Sequence, residues 1–198
     1  MWIPVFGRGS REDKSRPVCA PAGARLRKRE RFQPRQHGPG TVPENKNDTI
    51  RWDWPQPYIH EVEVQPQHID DFQHTNNVVY LTWMAKTAWE HSKALGLDFE
   101  AYASVNRGMV VRRHELEYLG ASHESDRIWV ATWITGNDGK IRLRRRFQMV
   151  HAETGKTLLR GLTDFVCINI ETGRPTRMPE NYVATYALTV DEASRETF

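Results

Sequence analysis

The chain has 198 residues, with 28 Lys/Arg against 25 Asp/Glu, a net charge of +3, 38% hydrophobic residues and a mean hydropathy of −0.69. That length suits one domain with or without a tail, domains clustering at roughly 100–150 residues, and no apolar run approaches the roughly 20 residues that cross a bilayer. Cys19 and Cys167 lie far apart and match no zinc, redox or disulfide-framework spacing, so a reducing, cytoplasmic setting is expected.

The charge is segregated. Residues 1–50 hold 11 Lys/Arg against 5 Asp/Glu, six of the eleven prolines and five of the thirteen glycines, whereas the other 148 residues hold 17 against 20. Such a segment has too little apolar surface to offset chain entropy, so a disordered basic tail over 1–50 and a folded domain over 51–198 are expected. The apolar start, Met1 to Phe6, is cut short by Gly7 and charged residues, which disfavours a secretion signal. Glu12, Asp13 and Glu30 argue against a transit peptide, and the run Arg25-Leu26-Arg27-Lys28-Arg29 has no interleaved aromatics to stack on bases, so nucleic acid is not the expected partner.

From Tyr58 to Gln65 apolar and polar residues alternate with period two, as in a strand with one buried face. After a loop over 67–75, residues 77–95 carry Val78, Leu81, Trp83, Met84, Ala88, Trp89, Ala94 and Leu95 without proline or glycine until Gly96. This predicts one long helix stopped at Gly96, with apolar residues broad enough around the cylinder to be covered on several sides. Four strands follow, at 108–119, 127–135, 141–150 and 157–170, separated by Gly120-Ala121-Ser122, Gly136-Asn137-Asp138-Gly139 and Glu153-Thr154-Gly155-Lys156. The expected fold is α+β: an antiparallel sheet of about five strands, the last four in a meander, with one helix on one face.

The chemistry concentrates in His68 to Trp83, between the first strand and the helix. The first N–H groups of a helix lack internal partners and the macrodipole is positive there, so a polarised carbonyl is stabilised. An Asp just upstream could return to the helix mouth as a base for water or as a nucleophile. By position alone, Asp70 or Asp71 could equally be a turn or capping residue.

The pattern Asp70-x-x-x-His74-x-Asn76-Asn77-x-x-Tyr80-Leu81-x-Trp83 resembles the signature of hotdog-fold acyl thioesterases, the group that includes 4-hydroxybenzoyl-CoA thioesterase and the plant acyl-carrier-protein thioesterases. The resemblance covers about residues 58–185, helped by Leu116-Glu117-Tyr118 and by Gly173-Arg174-Pro175 with Met178-Pro179-Glu180. It implies a hotdog fold, hydrolysis of an acyl-CoA or acyl-carrier-protein thioester in fatty acid metabolism, no cofactor, and a homodimer or homotetramer with its site at the subunit interface. Asp70 matches the carboxylate used as base or nucleophile, Asn77 the residue whose backbone amide polarises the carbonyl, and His74 the histidine of the plant pattern. Two departures stand out: Phe72 occupies the place of a plant Asn, and Ala121 that of a plant catalytic Glu. Asn76 and Tyr80 are further candidates for substrate contact. In the basic strand Lys140 to Phe147, Arg142, Arg144 and Arg146 share one face and Arg145 points to the other; Arg145 is the candidate for CoA phosphates. No metal-ligand spacing occurs. The alternatives are a non-catalytic acyl-CoA-binding module and a hotdog dehydratase or hydratase.

Overall fold

The computed structural model describes residues 50–198; the expected tail lies outside the described residues. Strand β1 (Tyr58–Glu63) leads through a single 3-10 turn, Pro66–His68, to helix α1 (Asn77–Ala94) and the short helix α2 (Phe99–Ser104). Strands β2 (Arg107–Tyr118), β3 (Arg127–Asn137), β4 (Arg142–His151) and β5 (Thr157–Asn169) follow, then helix α3 (Glu180–Thr185). The strands form one antiparallel sheet in the order β1-β3-β4-β5-β2.

The expected four-strand meander is corrected by this order. Strands β3, β4 and β5 are joined by hairpins, but β2 pairs with β5 at the far edge and β1 takes the place beside β3. Residues 120–122 are therefore the start of a crossing connection, not a hairpin turn. Period-two alternation fixes which face a residue occupies and is silent about which strand lies alongside. Helices α2 and α3 carry no long apolar period and were not expected; each buries one tyrosine, Tyr102 and Tyr182, in the core.

Helix α1 starts at an Asn76 cap, whose side chain accepts from the Val78 N–H, and ends where Gly96 takes a positive φ of 84°. Its buried residues, Tyr80, Trp83, Met84, Thr87, Ala88, His91 and Ser92, recur every three or four positions and so form one stripe. The coverage on several sides expected from composition is not found within one chain: Val78 stays 68% exposed. The stripe packs on the inner sheet face, where Met84 belongs to one buried cluster with Ile128, Val130, Phe147, Met149 and Leu159. The helix lies so close that a Cβ added to Gly161 would sit 2.7 Å from Met84 Cε.

The outer face is covered by the segment before β1 and by the C-terminal residues. Trp52 and Trp54 pack edge-on against buried Trp133, and Asp53 pairs with Arg160 at 2.8 Å. From the C-terminus, Glu196 reaches Arg146 and accepts from Thr135 Oγ1 at 2.6 Å. Arg144 pairs with its cross-strand neighbour Asp164 at 2.6 Å.

At the far end of α1, buried Arg145 donates to His91 Nδ1 at 2.7 Å and to Ser92 Oγ at 3.2 Å, and its guanidinium lies over the Tyr186 ring. A guanidinium can only donate, so His91 Nδ1 is the acceptor and the ring is neutral. Burial, and secondly the Arg145 charge, push the His91 pKa down to about 3. A histidine held neutral when folded stabilises fully above its unfolded pKa near 6.5 and loses that stability as pH falls toward 3, by up to about 1.4 kcal/mol per pH unit. The melting temperature should therefore drop between pH 6.5 and 4.5, and His91→Gln, which keeps an acceptor for Arg145, should flatten that drop; parallel pH profiles from thermal melts of both proteins would contradict it.

Candidate active site

The loop before α1 is closed by an antiparallel bridge between Ile69 and Thr75. The Asp70 N–H donates to the His74 carbonyl at 2.9 Å, and Gln73 takes a positive φ of 61° to complete the turn. Asp70 Oδ1 accepts from the Phe72 N–H at 2.9 Å and, at 3.4 Å, from that of His74. This is an Asx turn, the bland role the sequence left open for Asp70. Asp70 Oδ2 has no hydrogen bond to any described residue. The turn thus occupies one carboxylate oxygen, fixes the side chain, and leaves the second oxygen available.

Thr75 begins the anchoring of the helix mouth. Its N–H and its hydroxyl both donate to the Ser122 carbonyl, at 2.8 and 3.0 Å. Since the Thr75 proton is used there, Ser122 Oγ must donate to Thr75 Oγ1 (2.8 Å), and the Tyr80 hydroxyl must donate to Ser122 Oγ (2.8 Å). Tyr80 in turn accepts from the Ser122 N–H at 3.0 Å. Each hydroxyl has one proton, so the chain of bonds has one consistent direction. All three residues are buried. Sequence reading missed Ser122 because serine in a loop carries no signal of its own; only the proximity of a distant Tyr-hydroxyl gives it a role.

Around this anchor lies a groove of about 480 Å³, lined by Asp70, Phe72, His74, Thr75, Asn77, Tyr80 and the segment Tyr118 to Ala121. Asp70, His74 and Asn77 are therefore brought together at one opening. The Asn77 N–H is the first of the helix, and no acceptor engages it among the described residues. The Asn77 carbonyl accepts from the Tyr118 hydroxyl at 3.1 Å, which ties the edge strand to the helix mouth. The His74 ring is exposed and sits edge-on to His123, with centroids 5.3 Å apart. Ala121, in the place of the plant glutamate, lines the groove with no polar group.

Three sequence candidates are placed less favourably for substrate. Asn76 Oδ1 is occupied as the helix cap, and the Tyr80 hydroxyl is committed to Ser122. Arg145 is 1% exposed and faces His91, Ser92 and Tyr186, which does not fit a clamp on CoA phosphates.

A family model described as the thioesterase-like superfamily matches residues 64–185. The chain belongs to this superfamily. It is 25% identical over 116 residues to the long-chain acyl-CoA thioesterase FadM of Escherichia coli (strain K12), covering 57% of this chain and 83% of that protein. Among solved structures, the 1,4-dihydroxy-2-naphthoyl-CoA thioesterase from Synechocystis superposes with a TM-score of 0.60 at 17% identity, covering 66% of this chain and 96% of that one. A Staphylococcus aureus protein solved in complex with CoA gives 0.62 at 19% identity, covering 72% and 88%. The five-stranded antiparallel sheet packed on one long helix is thus the hotdog fold, and as a superfamily member the protein is a thioester hydrolase.

If the Tyr80 hydroxyl serves the fold, Tyr80→Phe strands the Ser122 N–H in the core, leaves Ser122 Oγ with its Thr75 bond alone, and should cost about 1–3 kcal/mol of stability by denaturant titration. Unchanged stability with weakened substrate binding would instead make the hydroxyl a substrate contact.

Proposed function

We propose that the protein hydrolyses acyl thioesters of CoA or of an acyl-carrier protein, with Asp70 as the attacking or water-activating carboxylate and the Asn77 amide as the oxyanion donor. The observation that carries this reading is the shared groove: Asp70 and the unengaged first N–H of α1 line the same opening. The name of the Escherichia coli relative and the CoA bound to the Staphylococcus aureus protein support a CoA thioester as substrate.

In this reaction the carbonyl oxygen accepts from the Asn77 N–H, where the helix dipole favours developing negative charge. Asp70 Oδ2 takes a proton from water as the water oxygen bonds to the carbonyl carbon, or attacks that carbon itself to give an anhydride that water then opens. Collapse of the tetrahedral centre breaks the C–S bond, expelling the thiolate, which is protonated to the free thiol, and releasing the carboxylic acid. The hydrogen bonds to Oδ1 hold the side chain in place, so no rotamer freedom is lost on reaching the transition state. His74, exposed at the rim, is a further candidate for contact with the reacting group. A homodimer accompanies this reading: Phe72, Tyr118 and Leu119 line the groove and are exposed, Phe72 by 83%, an apolar border suited to a second subunit.

Asp70→Asn separates chemistry from structure, because asparagine keeps the Asx turn and loses the base. It should lower kcat on acyl-CoA by about 10²–10⁴ with an unchanged melting temperature; equal turnover by mutant and parent removes Asp70 from the mechanism. Asn77→Pro deletes the proposed oxyanion donor where proline is tolerated, at the first helical position, and Asn76 has an extended ψ of 135° that a following proline accepts. It should cost about 10²–10³ in kcat while Asn77→Ala, which keeps the amide, stays near parent activity. A fully active proline variant would place the carbonyl elsewhere.

A further inference from the structure

The first turn of α1, which carries the Asn77 amide, is held only weakly by packing. Asn77 and Val78 are exposed, Val79 reaches the core cluster in part, and the buried stripe begins at Tyr80. Two β-branched valines in succession lower the helix propensity of this turn. Helix ends fray unless something fixes them, and a frayed turn would carry its first N–H away from the groove. Thr75 and Tyr80 are fixed at Ser122 on either side of the turn. Between them, Asn76 accepts from the Val78 N–H with its side chain and from the Val79 N–H with its carbonyl, both at 2.9 Å, and its own N–H donates to the His68 carbonyl at 2.8 Å. Among the described residues, the one hydrogen bond that reaches Asn77 from outside its own loop and helix is that of the Tyr118 hydroxyl.

Tyr118 is well placed to hold that turn. It is the last residue of β2, paired with Leu159 of β5, and the next two N–H groups, of Leu119 and Gly120, both donate to the Leu158 carbonyl, at 2.8 and 3.1 Å. The backbone under the tyrosine is therefore fixed to the sheet. Its ring sits edge-on to Tyr80 with centroids 5.9 Å apart, and Tyr80 is itself held by Ser122. Burial, and secondly the neighbouring Tyr80, raise the Tyr118 pKa, so the hydroxyl keeps its proton and can donate. Yet the residue is 45% exposed and its bond lies at the surface of the chain, where water competes for both partners. Such a bond adds little to global stability; what it restrains is the local freedom of the turn.

We propose that Tyr118 is a positioning residue for the oxyanion donor: its hydroxyl clamps the Asn77 carbonyl and so keeps the first turn of α1 wound, with the Asn77 N–H held at the groove. The proposal rests on the thioesterase reading and on the part of the Asn77 amide in it. Tyr118 neither binds substrate nor moves a proton; it acts through Asn77. Without the clamp the amide samples orientations that do not meet the carbonyl oxygen, and ordering the turn then adds to the barrier of the reaction.

The test is a cycle of Tyr118→Phe, Asn77→Pro and the double variant, assayed on an acyl-CoA that the parent cleaves. Tyr118→Phe keeps the ring and removes the clamp; it should lower kcat about 3–10-fold, with KM within about twofold of the parent and an unchanged melting temperature. In the Asn77→Pro protein, which has no amide to position, the same change should cost less than about twofold. Amide hydrogen exchange gives a readout that does not depend on turnover: in Tyr118→Phe the Val78 and Val79 amides should exchange at least about threefold faster, with those of β2 and β5 unchanged. A loss that falls on KM instead of kcat makes the hydroxyl a substrate contact, and an equal loss in both backgrounds makes it independent of the amide; either result overturns the clamp. An impaired Asn77→Pro beside a fully active Tyr118→Phe overturns the clamp and leaves the oxyanion assignment standing, whereas a fully active Asn77→Pro overturns both.

Discussion

The helix mouth depends on a small buried chain of hydroxyls. Thr75, Ser122 and Tyr80 come from the turn before α1, the crossing connection after β2, and the first turn of α1 itself. In an apolar core each hydroxyl must find a partner or cost roughly 1–3 kcal/mol, and these three satisfy one another and the Ser122 backbone with none left over. Satisfying them also fixes the groove, because the same three segments supply Asp70, the Asn77 amide and the Tyr118 to Ala121 wall. Positioning of the site is thus a by-product of the core's demand for hydrogen bonds.

That dependence explains which parts of the fold could be read from sequence. Strand β1, helix α1 and strands β2 to β5 fall within a few residues of the periodic segments, since alternation and helical spacing are local consequences of burial. The neighbour of β2 is not local. Gly120-Ala121-Ser122 has the composition of a hairpin turn, but its backbone is claimed by other partners: Leu158 accepts from the Gly120 N–H, and Thr75 donates to the Ser122 carbonyl. Those bonds carry the chain past β5 instead of back along β2, and no property of the three residues announces it. The short helices α2 and α3 escaped notice for a related reason: each is held by a tyrosine in a cluster assembled from distant segments.

The site divides in the same way. The motif from Asp70 to Trp83 marks the loop and helix start that line the groove, because a carboxylate, a helix boundary and an aromatic stripe at that spacing are sequence-visible. It does not separate residues that build the site from residues that face it. Asn76 and Tyr80 are polar members of the motif whose capacity is spent on the cap and on Ser122. Arg145 shows the same limit with a charge: alternation correctly set it apart from Arg142, Arg144 and Arg146, yet the face it was assigned to is the core. There a guanidinium is tolerated only because His91, Ser92 and the Tyr186 ring take up its donors and charge.

A chain this well satisfied makes the remaining open valences informative. Most cations on the sheet are neutralised by a carboxylate within the fold, Arg144 by Asp164, Arg146 by Glu196 and Arg160 by Asp53. Such pairs offer a phosphate little, since binding it would first break an existing bidentate contact. At the groove, two groups of complementary character are engaged by no described residue: the second oxygen of Asp70 and the first N–H of α1. In the proposed reaction a thioester in that groove meets a nucleophile or base and an oxyanion donor, and neither must give up a bond inside the protein to act.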